Sequence, residues 1–377
     1  MKDIRKVFFV TGTRADFGKL KPLMKFIEQH EKFEAHILVT GMHMMRRYGY
    51  TANEIKREAL SNVYYISNQY QAEPMCSTLG NTVSILSRLF EEVKPDLVVV
   101  HGDRLEALAG STVGALSNRL VCHIEGGEVS GTIDDLIRHS VSKISHIHMV
   151  ANEEAKSRLL QMGEAEGSIF IIGSPDLDVM ASGQLPTLDA ARSRYDITFD
   201  DYAIAMFHPV TTEETDMFAY AQAFFGALID SGDSYVVVYP NNDLGSDAIL
   251  DALEMHRKNP RLRIFPSIRF EHFLVLLKNA RYIIGNSSAG IREAPFYGVP
   301  TINVGSRQNC RFTGPSILNC GYDGSAIRAA IETVNSWDRP EPTSWFGDGD
   351  SVSKFAAAVD SESFWKIPVQ KTFVDIR

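Results

Sequence analysis

The sequence predicts an α/β protein made of two doubly wound, Rossmann-like parallel-sheet domains. Short β-branched runs alternate with longer amphipathic segments along almost the whole chain. The strand-like runs are continuously apolar, which is typical of parallel strands covered by helices on both faces. In addition, a chain of 377 residues is too long for one ordinary hydrophobic core.

The first half of the chain contains seven predicted strands. Their ranges are 6–10, 35–39, 63–66, 96–100, 120–124, 146–150 and 169–172. Helices are expected between most of them, as at 79–94, where Leu79, Val83, Leu86 and Phe90 recur at helical spacing.

The second half repeats this scheme with five predicted strands, at 202–206, 234–239, 262–265, 281–284 and 300–304. The pattern weakens across 174–199, which carries prolines, a glycine and polar residues. We therefore expect a first domain over 1–175 and a second over 190–350. Ligands bind at the carboxyl ends of such strands, so we expect a cleft between the two domains.

Composition excludes several classes of function. The net charge of -9 gives no electrostatic attraction to DNA or RNA. No segment approaches the roughly 18 consecutive apolar residues that span a bilayer, so no membrane association is expected. The N-terminal apolar run is too short for a signal peptide, and the four cysteines form no Cys-x-x-Cys pair. We expect a cytoplasmic protein with reduced thiols.

The segment 11–19 (TGTRADFGK) follows the first strand and is expected to be a loop, with a helix starting near Lys19. Its glycines would let the backbone approach a ligand, and Arg14 and Lys19 would neutralise phosphate. The alternative is an ordinary βα turn that carries two surface cations.

The segment 281–298 contains the strongest local pattern. A buried strand runs into Gly-Asn-Ser-Ser-Ala-Gly, and a helix is expected to follow. The hydroxyl groups of Ser287 and Ser288, with backbone N–H groups of the first helical turn, would form an anion site. Glu293 would accept hydrogen bonds from a ribose diol. The alternative is a serine that caps the helix without a ligand.

Acidic residues follow two strands of the first half and begin a later helix. Asp103 follows the strand at 96–100, Glu125 follows the strand at 120–124, and Asp134 lies near a helix start. Carboxylates at several strand ends converge at one sheet edge, as expected for an acid/base site. For any one of them, a helix cap or a solvated loop is the alternative.

Four further positions have weaker signals. His208 follows a strand and is equally compatible with a structural role, and Asn241 fits an Asx turn equally well. His146 and His148 alternate within one strand without a matching carboxylate or cysteine nearby, so no metal site is expected.

Together these motifs resemble the hydrolysing UDP-N-acetylglucosamine 2-epimerases of sialic-acid biosynthesis. The resemblance runs, in the family's order, through 11–20, 101–108, 123–148, 207–211, 285–293 and 302–308. The non-hydrolysing relatives carry Gly-Thr-Arg-Pro-Glu, Gly-Asp-Thr and Glu-Ala-Gly at three places. This chain has Gly-Thr-Arg-Ala-Asp from Gly12, Gly-Asp-Arg from Gly102 and Glu-Gly-Gly from Glu125, which fit the hydrolysing branch.

The resemblance implies the paired-sheet GT-B fold, with the C-terminal segment 351–377 packing on the first domain. It implies catalytic roles for Asp103, Glu125, Asp134 and His208. It also implies UDP or substrate contacts for Arg14, Lys19, Arg104, Arg138, Asn241, Ser287, Ser288, Glu293 and Arg307. The implied assembly is a homodimer or homotetramer, and the implied reaction requires no cofactor or metal.

The implied reaction converts UDP-N-acetylglucosamine and water to N-acetylmannosamine and UDP, by elimination to a glycal and hydration. Four alternatives stay open at this point. They are a hydrolysing epimerase for a modified or GDP-linked sugar, a non-hydrolysing epimerase, a GT-B glycosyltransferase and a nucleotide-sugar sensor without turnover.

Overall fold

The computed structural model describes residues 4–375 and divides the chain into two compact units. The first unit comprises the chain up to Glu128, Asp134–Gly183 and the chain from Trp345 onward. The second comprises Val129–Ile133 and Gln184–Ser344. The main division falls within the weakly patterned 174–199 segment. Residues 1–3 and 376–377 of the predicted ranges 1–175 and 351–377 lie outside the described residues.

The first unit contains a seven-stranded parallel sheet in the order β3-β2-β1-β4-β5-β6-β7. Its strands are β1 (Arg5–Thr11), β2 (Phe33–Val39), β3 (Asn62–Tyr65), β4 (Leu97–His101), β5 (Leu120–Ile124), β6 (Ile147–Val150) and β7 (Ile169–Ile171). The strand order reverses between β1 and β4. In open α/β sheets, ligands bind at the carboxyl ends of the strands beside such a reversal.

The second unit contains a six-stranded parallel sheet in the order β10-β9-β8-β11-β12-β13. Its strands are β8 (Ala203–Met206), β9 (Tyr235–Val238), β10 (Leu262–Phe265), β11 (Ile283–Gly285), β12 (Thr301–Val304) and β13 (Ile317–Cys320). Here the order reverses between β8 and β11, so the loops after these two strands flank the equivalent position.

Helices connect the strands of both sheets, and three more follow the last strand. They are α1 (Arg14–Gln29), α2 (Ala52–Ile55), α3 (Met75–Val93), α4 (Leu105–Leu116), α5 (Ile133–Ile144), α6 (Glu153–Gln161), α7 (Pro175–Ala181), α8 (Leu188–Tyr195), α9 (Met217–Asp230), α10 (Ser246–Glu254), α11 (Phe270–Lys278), α12 (Glu293–Phe296), α13 (Gly324–Asn335), α14 (Ser351–Asp360) and α15 (Glu362–Trp365).

Each sheet is buried between helices in its own hydrophobic core. In the first unit, apolar residues of the central strands pack with α1 and with Phe355 and Phe364 of the C-terminal helices. In the second unit, the core is formed by strand residues together with α9 and α13. Within the described residues, no helix combines the length and apolar character required to cross a membrane.

All twelve predicted strands are present, with ends shifted by at most two residues. The prediction missed β13, whose residues are only partly buried at the edge of the second sheet. It also placed the start of α1 too late. Thr13 and Asp16 form a capping box, so the helix begins at Arg14 and includes Lys19.

Candidate active site

The loop after β1 is short because Asp16 satisfies its backbone. The Asp16 carboxylate accepts hydrogen bonds from the N–H groups of Gly12 (3.0 Å) and Thr13 (3.0 Å). Gly12 has no room for a side chain, since a Cβ there would lie 2.6 Å from the Glu106 carboxyl carbon. The loop is therefore fixed by its own contacts, and Glu106 packs directly against it.

Arg14 lies in the first turn of α1 and forms an ion pair with Glu54. Its Nε donates to Glu54 Oε2 (2.9 Å), and one terminal nitrogen donates to the other carboxylate oxygen. Both side chains are mostly buried. This two-pronged geometry fixes the plane of the guanidinium group.

Lys19 lies inside α1 and faces the predicted catalytic residue Glu125. Its ammonium group is 3.2 Å from Glu125 Oε1 and 3.5 Å from Asp176 Oδ2. The Ser174 hydroxyl donates to Glu125 Oε1 (2.6 Å), and His101 Nε2 lies 3.2 Å from Glu125 Oε2. All five side chains are buried or nearly so, which makes this a desolvated charge network rather than a surface cation beside a loop.

The backbone of Glu125 lies in the left-handed region, with φ of 65°. A side-chain-bearing residue in this region costs of order 1–3 kcal/mol and persists only where the surroundings enforce it. Here the Glu125 N–H donates to the Met149 carbonyl (3.0 Å) at the end of β6. The sheet therefore holds this carboxylate in a backbone conformation that the isolated loop disfavours.

Asp103 follows β4 and pairs with Arg138 of α5 through a short ion-pair contact. Arg138 is 2% exposed, and Asp135 lies 3.6 Å from its other terminal nitrogen. Burial opposes the charge of Arg138, but Asp103, Glu128 and other nearby carboxylates outweigh it and raise the pKa of Arg138. Arg138 is thus a fixed buried cation beside the predicted catalytic Asp103.

A buried histidine fixes the turn that carries Asp103. His123 Nε2 lies 2.8 Å from the Gly102 carbonyl oxygen and donates to it, while Nδ1 accepts from the Ser142 hydroxyl at 3.0 Å. Burial lowers the pKa of His123 to about 3, so the imidazole is neutral and this pattern is stable at neutral pH. Sequence analysis missed His123, although it lies two residues before Glu125.

The remaining predicted residues of the first unit lie nearby in the fold. Arg104 is the N-cap residue of α4, with Nε 3.7 Å from Glu106 Oε2. Asp134 lies in the first turn of α5 and is partly buried. The first unit therefore places Arg14, Lys19, Asp103, Arg104, Glu125, Asp134 and Arg138 around the carboxyl ends of β1, β4 and β5 and the start of α5.

In the second unit, the serine loop differs from the prediction. The Ser287 hydroxyl accepts from the N–H of Ala289 (3.3 Å), as a cap should, but the next element is a 3₁₀ turn over Ser288–Gly290. Only the four-residue α12 comes after it, and Pro295 lies within that helix. The expected helix therefore does not begin at the serines, and the helix that follows has only one turn. Ser287 and Ser288 are partly exposed at the carboxyl end of β11.

Asn286 joins this loop to His208. It is fully buried; its side-chain oxygen accepts from the His208 N–H (2.6 Å) and its amide donates to the His208 carbonyl (2.9 Å). Its own carbonyl accepts from Arg307 (3.2 Å) and Gln308 (2.7 Å). Gly285 before it has φ of 129° and a Cβ there would lie 1.9 Å from the Met206 carbonyl oxygen, so only glycine fits.

The fold places two of the predicted site residues, His208 and Asn241, in direct contact. His208 Nδ1 accepts from the Asn241 backbone N–H at 3.0 Å, so the proton of a neutral ring is on Nε2. The Asn241 side chain bonds Asp243, which is the Asx-turn alternative. Glu293 begins α12 and is 5% exposed.

Asn286 and Gln308 were not predicted as site residues. Both are buried neutral amides whose role depends on contacts with residues far along the chain. The local sequence gives no signal for Asn286, because its side-chain partners are the backbone groups of His208, 78 residues away along the chain.

The amino-acid sequence matches a known protein family. A sequence model of the UDP-N-acetylglucosamine 2-epimerase family matches residues 25–360. The chain belongs to this family.

Two relatives place the chain within the family. It is 53% identical to a UDP-N-acetylglucosamine 2-epimerase of Neisseria meningitidis serogroup B, over 99% of this chain and 100% of that one. It is 34% identical to a UDP-N,N'-diacetylbacillosamine 2-epimerase (hydrolyzing) of Legionella pneumophila, over 93% of this chain and 94% of that one.

The fold is that of a solved epimerase. The crystal structure of Methanocaldococcus jannaschii UDP-GlcNAc 2-epimerase in complex with UDP-GlcNAc and UDP matches with a TM-score of 0.81. The sequences are 22% identical, and the match covers 94% of this chain and 99% of that chain. The likeness confirms the predicted GT-B fold class with its two parallel-sheet α/β domains.

Proposed function

We propose that this epimerase-family enzyme is hydrolysing and converts UDP-N-acetylglucosamine and water to N-acetylmannosamine and UDP, for sialic-acid biosynthesis. The observation that carries the proposal is the presence in one unit of two carboxylates with different cationic partners, Glu125 being buried and Asp103 partly exposed. Asp103 pairs with Arg138, and Glu125 pairs with Lys19. Inversion at C2 needs two groups in different environments, one to remove a proton and one to deliver a proton.

The reaction would proceed by elimination and hydration. UDP leaves with the electron pair of the C1–O bond, and a carboxylate of the set Asp103, Glu125 and Asp134 takes the proton from C2. The product of this step is a glycal with a C1–C2 double bond. A second acidic group then protonates C2 from the opposite face, while water adds at C1 and loses a proton.

The buried cations would act through the carboxylates rather than on phosphate. Lys19 and Arg138 are each enclosed by carboxylates, which favours orienting Glu125 and Asp103 and stabilising their ionised forms. We assign the imidazole of His208 either to proton transfer or to a diphosphate contact through Nε2–H. The scheme requires no metal and no cofactor.

UDP binding is assigned to partly exposed donors. In the second unit these are Ser287, Ser288, Asn241 and Arg307. They are joined by two buried residues, His208 as a further donor and Glu293 as the acceptor for the ribose. In the first unit, Arg14 and Arg104 would stabilise the charge that develops on the leaving diphosphate. Pre-organised donors of this kind favour a transition state without rearrangement during the reaction.

Gly126 supports the hydrolysing branch. A Cβ at this position would lie 2.8 Å from the Ser142 hydroxyl oxygen and 2.9 Å from His123 Nδ1. The alanine of the non-hydrolysing Glu-Ala-Gly motif would therefore push against the hydrogen bond that fixes the Asp103 turn. The packing around Gly126 therefore favours the glycine of the hydrolysing motif. The "(hydrolyzing)" in the name of the Legionella relative agrees with this assignment.

A second candidate substrate is a modified sugar. The Legionella relative at 34% identity is named for UDP-N,N'-diacetylbacillosamine, whose sugar differs from N-acetylglucosamine in its substituents. The higher identity to the Neisseria protein, 53%, favours UDP-N-acetylglucosamine.

Phosphorus NMR of the purified protein with UDP-N-acetylglucosamine tests the proposal. We expect the two diphosphate signals of the sugar nucleotide to be replaced by those of free UDP, with N-acetylmannosamine as the sugar product and no added acceptor. Accumulation of UDP-N-acetylmannosamine would identify a non-hydrolysing epimerase instead. Turnover only after an acceptor is added would identify a glycosyltransferase. Parallel incubation with UDP-N,N'-diacetylbacillosamine ranks the two substrates.

A further inference from the structure

The segment after α15 has no regular secondary structure, yet buried groups of the first unit bind it. His146 Nε2 donates to the Val369 carbonyl oxygen at 2.9 Å. His146 Nδ1 accepts from the Val121 N–H at 3.1 Å, so the ring is in its neutral Nε2–H form. Burial lowers the pKa of His146, which favours the same form. Two residues further along, Lys371 turns back into the protein.

Lys371 caps the carboxyl end of α5. Its ammonium group donates to the carbonyl oxygens of Ser145 (2.6 Å) and Lys143 (2.8 Å), and the Ser142 carbonyl oxygen lies at 3.3 Å. The last four carbonyls of a helix have no partner within the helix, and a cation there also opposes the helix dipole. The Lys371 side chain therefore supplies hydrogen-bond donors to the carbonyl groups at the carboxyl end of α5.

The charge of Lys371 is balanced by Glu164, which is 2% exposed. Glu164 also accepts from His148 (3.0 Å) and from Lys143 (3.0 Å). Burial opposes the carboxylate, but the hydrogen bonds from His148 and Lys371 and their charges outweigh it and lower the pKa of Glu164 to about 2. Glu164 is therefore ionised throughout the neutral range, while burial lowers the pKa of Lys371.

The capped helix is the one that holds the candidate catalytic turn. Arg138 and Ser142 lie one turn apart on α5 and face the same side. Arg138 pairs directly with Asp103, and Ser142 bonds His123, which in turn bonds the Gly102 carbonyl. Any shift of α5 along its axis would move both contacts together.

We propose that Lys371 is a positioning residue of the reaction, which sets the register of α5 and thereby the position of Asp103. This inference rests on the proposed function, in which Asp103 takes part in proton transfer. In this role Lys371 acts through α5 and not on the substrate, since its contacts are carbonyl oxygens and Glu164. Its contribution is to hold the end of α5, so that the two contacts to the Asp103 turn stay in place.

Three variants test the role: Lys371→Met, Lys371→Arg and the matched control Lys366→Met. Lys366 is an exposed lysine that pairs across one helical turn with Glu362, and it lies five residues away from Lys371 in the chain. The measurements are kcat and KM for UDP-N-acetylglucosamine, UDP affinity by calorimetry, and hydrogen exchange of the α5 amides.

We expect Lys371→Met to lower kcat about tenfold or more, because small misplacements of a reacting group are costly, with KM and UDP affinity within about twofold of wild type. Exchange of the amides in residues 138–145 should rise about tenfold, as local opening becomes easier. Lys371→Arg keeps the charge and several donors and should recover most of the lost kcat. Lys366→Met should match wild type in every measurement.

The inference is overturned if Lys371→Met keeps the wild-type kcat, whether or not exchange in α5 changes. It is also overturned if the loss is confined to UDP affinity. Should Lys371→Met fail to fold, Glu164→Gln removes the partner of Lys371 and should give the same loss of kcat with wild-type UDP affinity. A wild-type protein that leaves UDP-N-acetylglucosamine unchanged would instead refute the proposed function, and the exchange comparison would still show whether Lys371 holds α5.

Discussion

The two groups of candidate site residues are built from different interactions. In the first unit, two of the predicted acidic residues form charge pairs: Asp103 pairs with Arg138, and Glu125 pairs with Lys19. In the second unit, the loop after β11 is held by neutral hydrogen bonds between Asn286 and the backbone of His208. In the first unit the contacts position charged side chains, whereas in the second unit they position the backbone of the loop after β11.

We expect the two groups of residues to have different functions. Buried ion pairs cost desolvation energy, so their retention in the first unit fits groups whose charge is needed for chemistry. A neutral amide network costs little and orients donors for a ligand without titrating. We therefore expect substitutions in the charge pairs of the first unit to act on turnover, and substitutions in the loop after β11 to act on nucleotide affinity.

The largest effect is expected from Asp103→Asn. Loss of a proton-transfer group should lower kcat by about 10²–10⁴, while the Kd for UDP stays within about threefold of wild type. Steady-state kinetics and calorimetry measure the two quantities. Asp135→Asn is the matched control, because Asp135 also lies beside Arg138, at 3.6 Å, and should cost less than about fivefold in kcat. A large loss of UDP binding in Asp103→Asn would contradict this difference in function.

Lys19→Met should have the next largest effect. Removing one partner of a buried pair destabilises by about 3–5 kcal/mol, and the misplaced Glu125 should lower kcat by about 10–10². Urea unfolding and kinetics measure these effects. The control is Lys25→Met, on the same helix, because the Lys25 side chain is 42% exposed and its ammonium group lies 2.7 Å from Glu58 Oε2. If Lys19→Met weakened UDP binding and left kcat unchanged, Lys19 would be a phosphate ligand after all.

Asn286→Ala tests the second region. It removes both side-chain hydrogen bonds to the His208 backbone and leaves buried groups without partners, a cost of about 1–3 kcal/mol. If the loop binds UDP, calorimetry should show a Kd raised by about tenfold or more, with kcat at saturating substrate changed less than KM. Asn279→Ala, at the exposed end of α11, is the control and should leave the Kd unchanged. An unaltered Kd in Asn286→Ala would remove the UDP assignment from this loop.

The smallest effect concerns pH and the charge pairs of the first unit. Because the pKa of Glu164 falls from 4.5 to about 2 on folding, its ionisation stabilises the protein above pH 4.5. That contribution is lost as the pH falls through about 2. The difference in unfolding free energy between wild type and Glu164→Gln should therefore be largest near neutral pH and shrink below pH 4.5. Urea unfolding at several pH values measures it, and a difference independent of pH would contradict the charge pair.

Local patterns in the sequence predicted most of the fold. Buried apolar runs located twelve strands, because such runs have few alternatives in an α/β chain. The start of α1 was present in the Thr13–Asp16 capping box and could have been found. By contrast, β13 is a four-residue edge strand with partly buried side chains, and it has no distinctive pattern.

The sequence predicted most of the residues of the candidate site, but not which of them pair with each other. The contact between Lys19 and Glu125 joins residues 106 positions apart, and that between Asp103 and Arg138 joins residues 35 positions apart. Neither follows from local spacing, because the parallel sheet decides which loops meet. Asn286 and Lys371 were missed for the same reason, since their partners are set by tertiary structure.

Incubation with UDP-N-acetylglucosamine in deuterium oxide tests the central claim most directly. If the first unit carries out elimination and opposite-face protonation, proton NMR will show N-acetylmannosamine with deuterium at C2, together with free UDP. Free sugar that retains hydrogen at C2 would contradict the account, because it would mean that the C1 bond is broken without proton removal by the carboxylates.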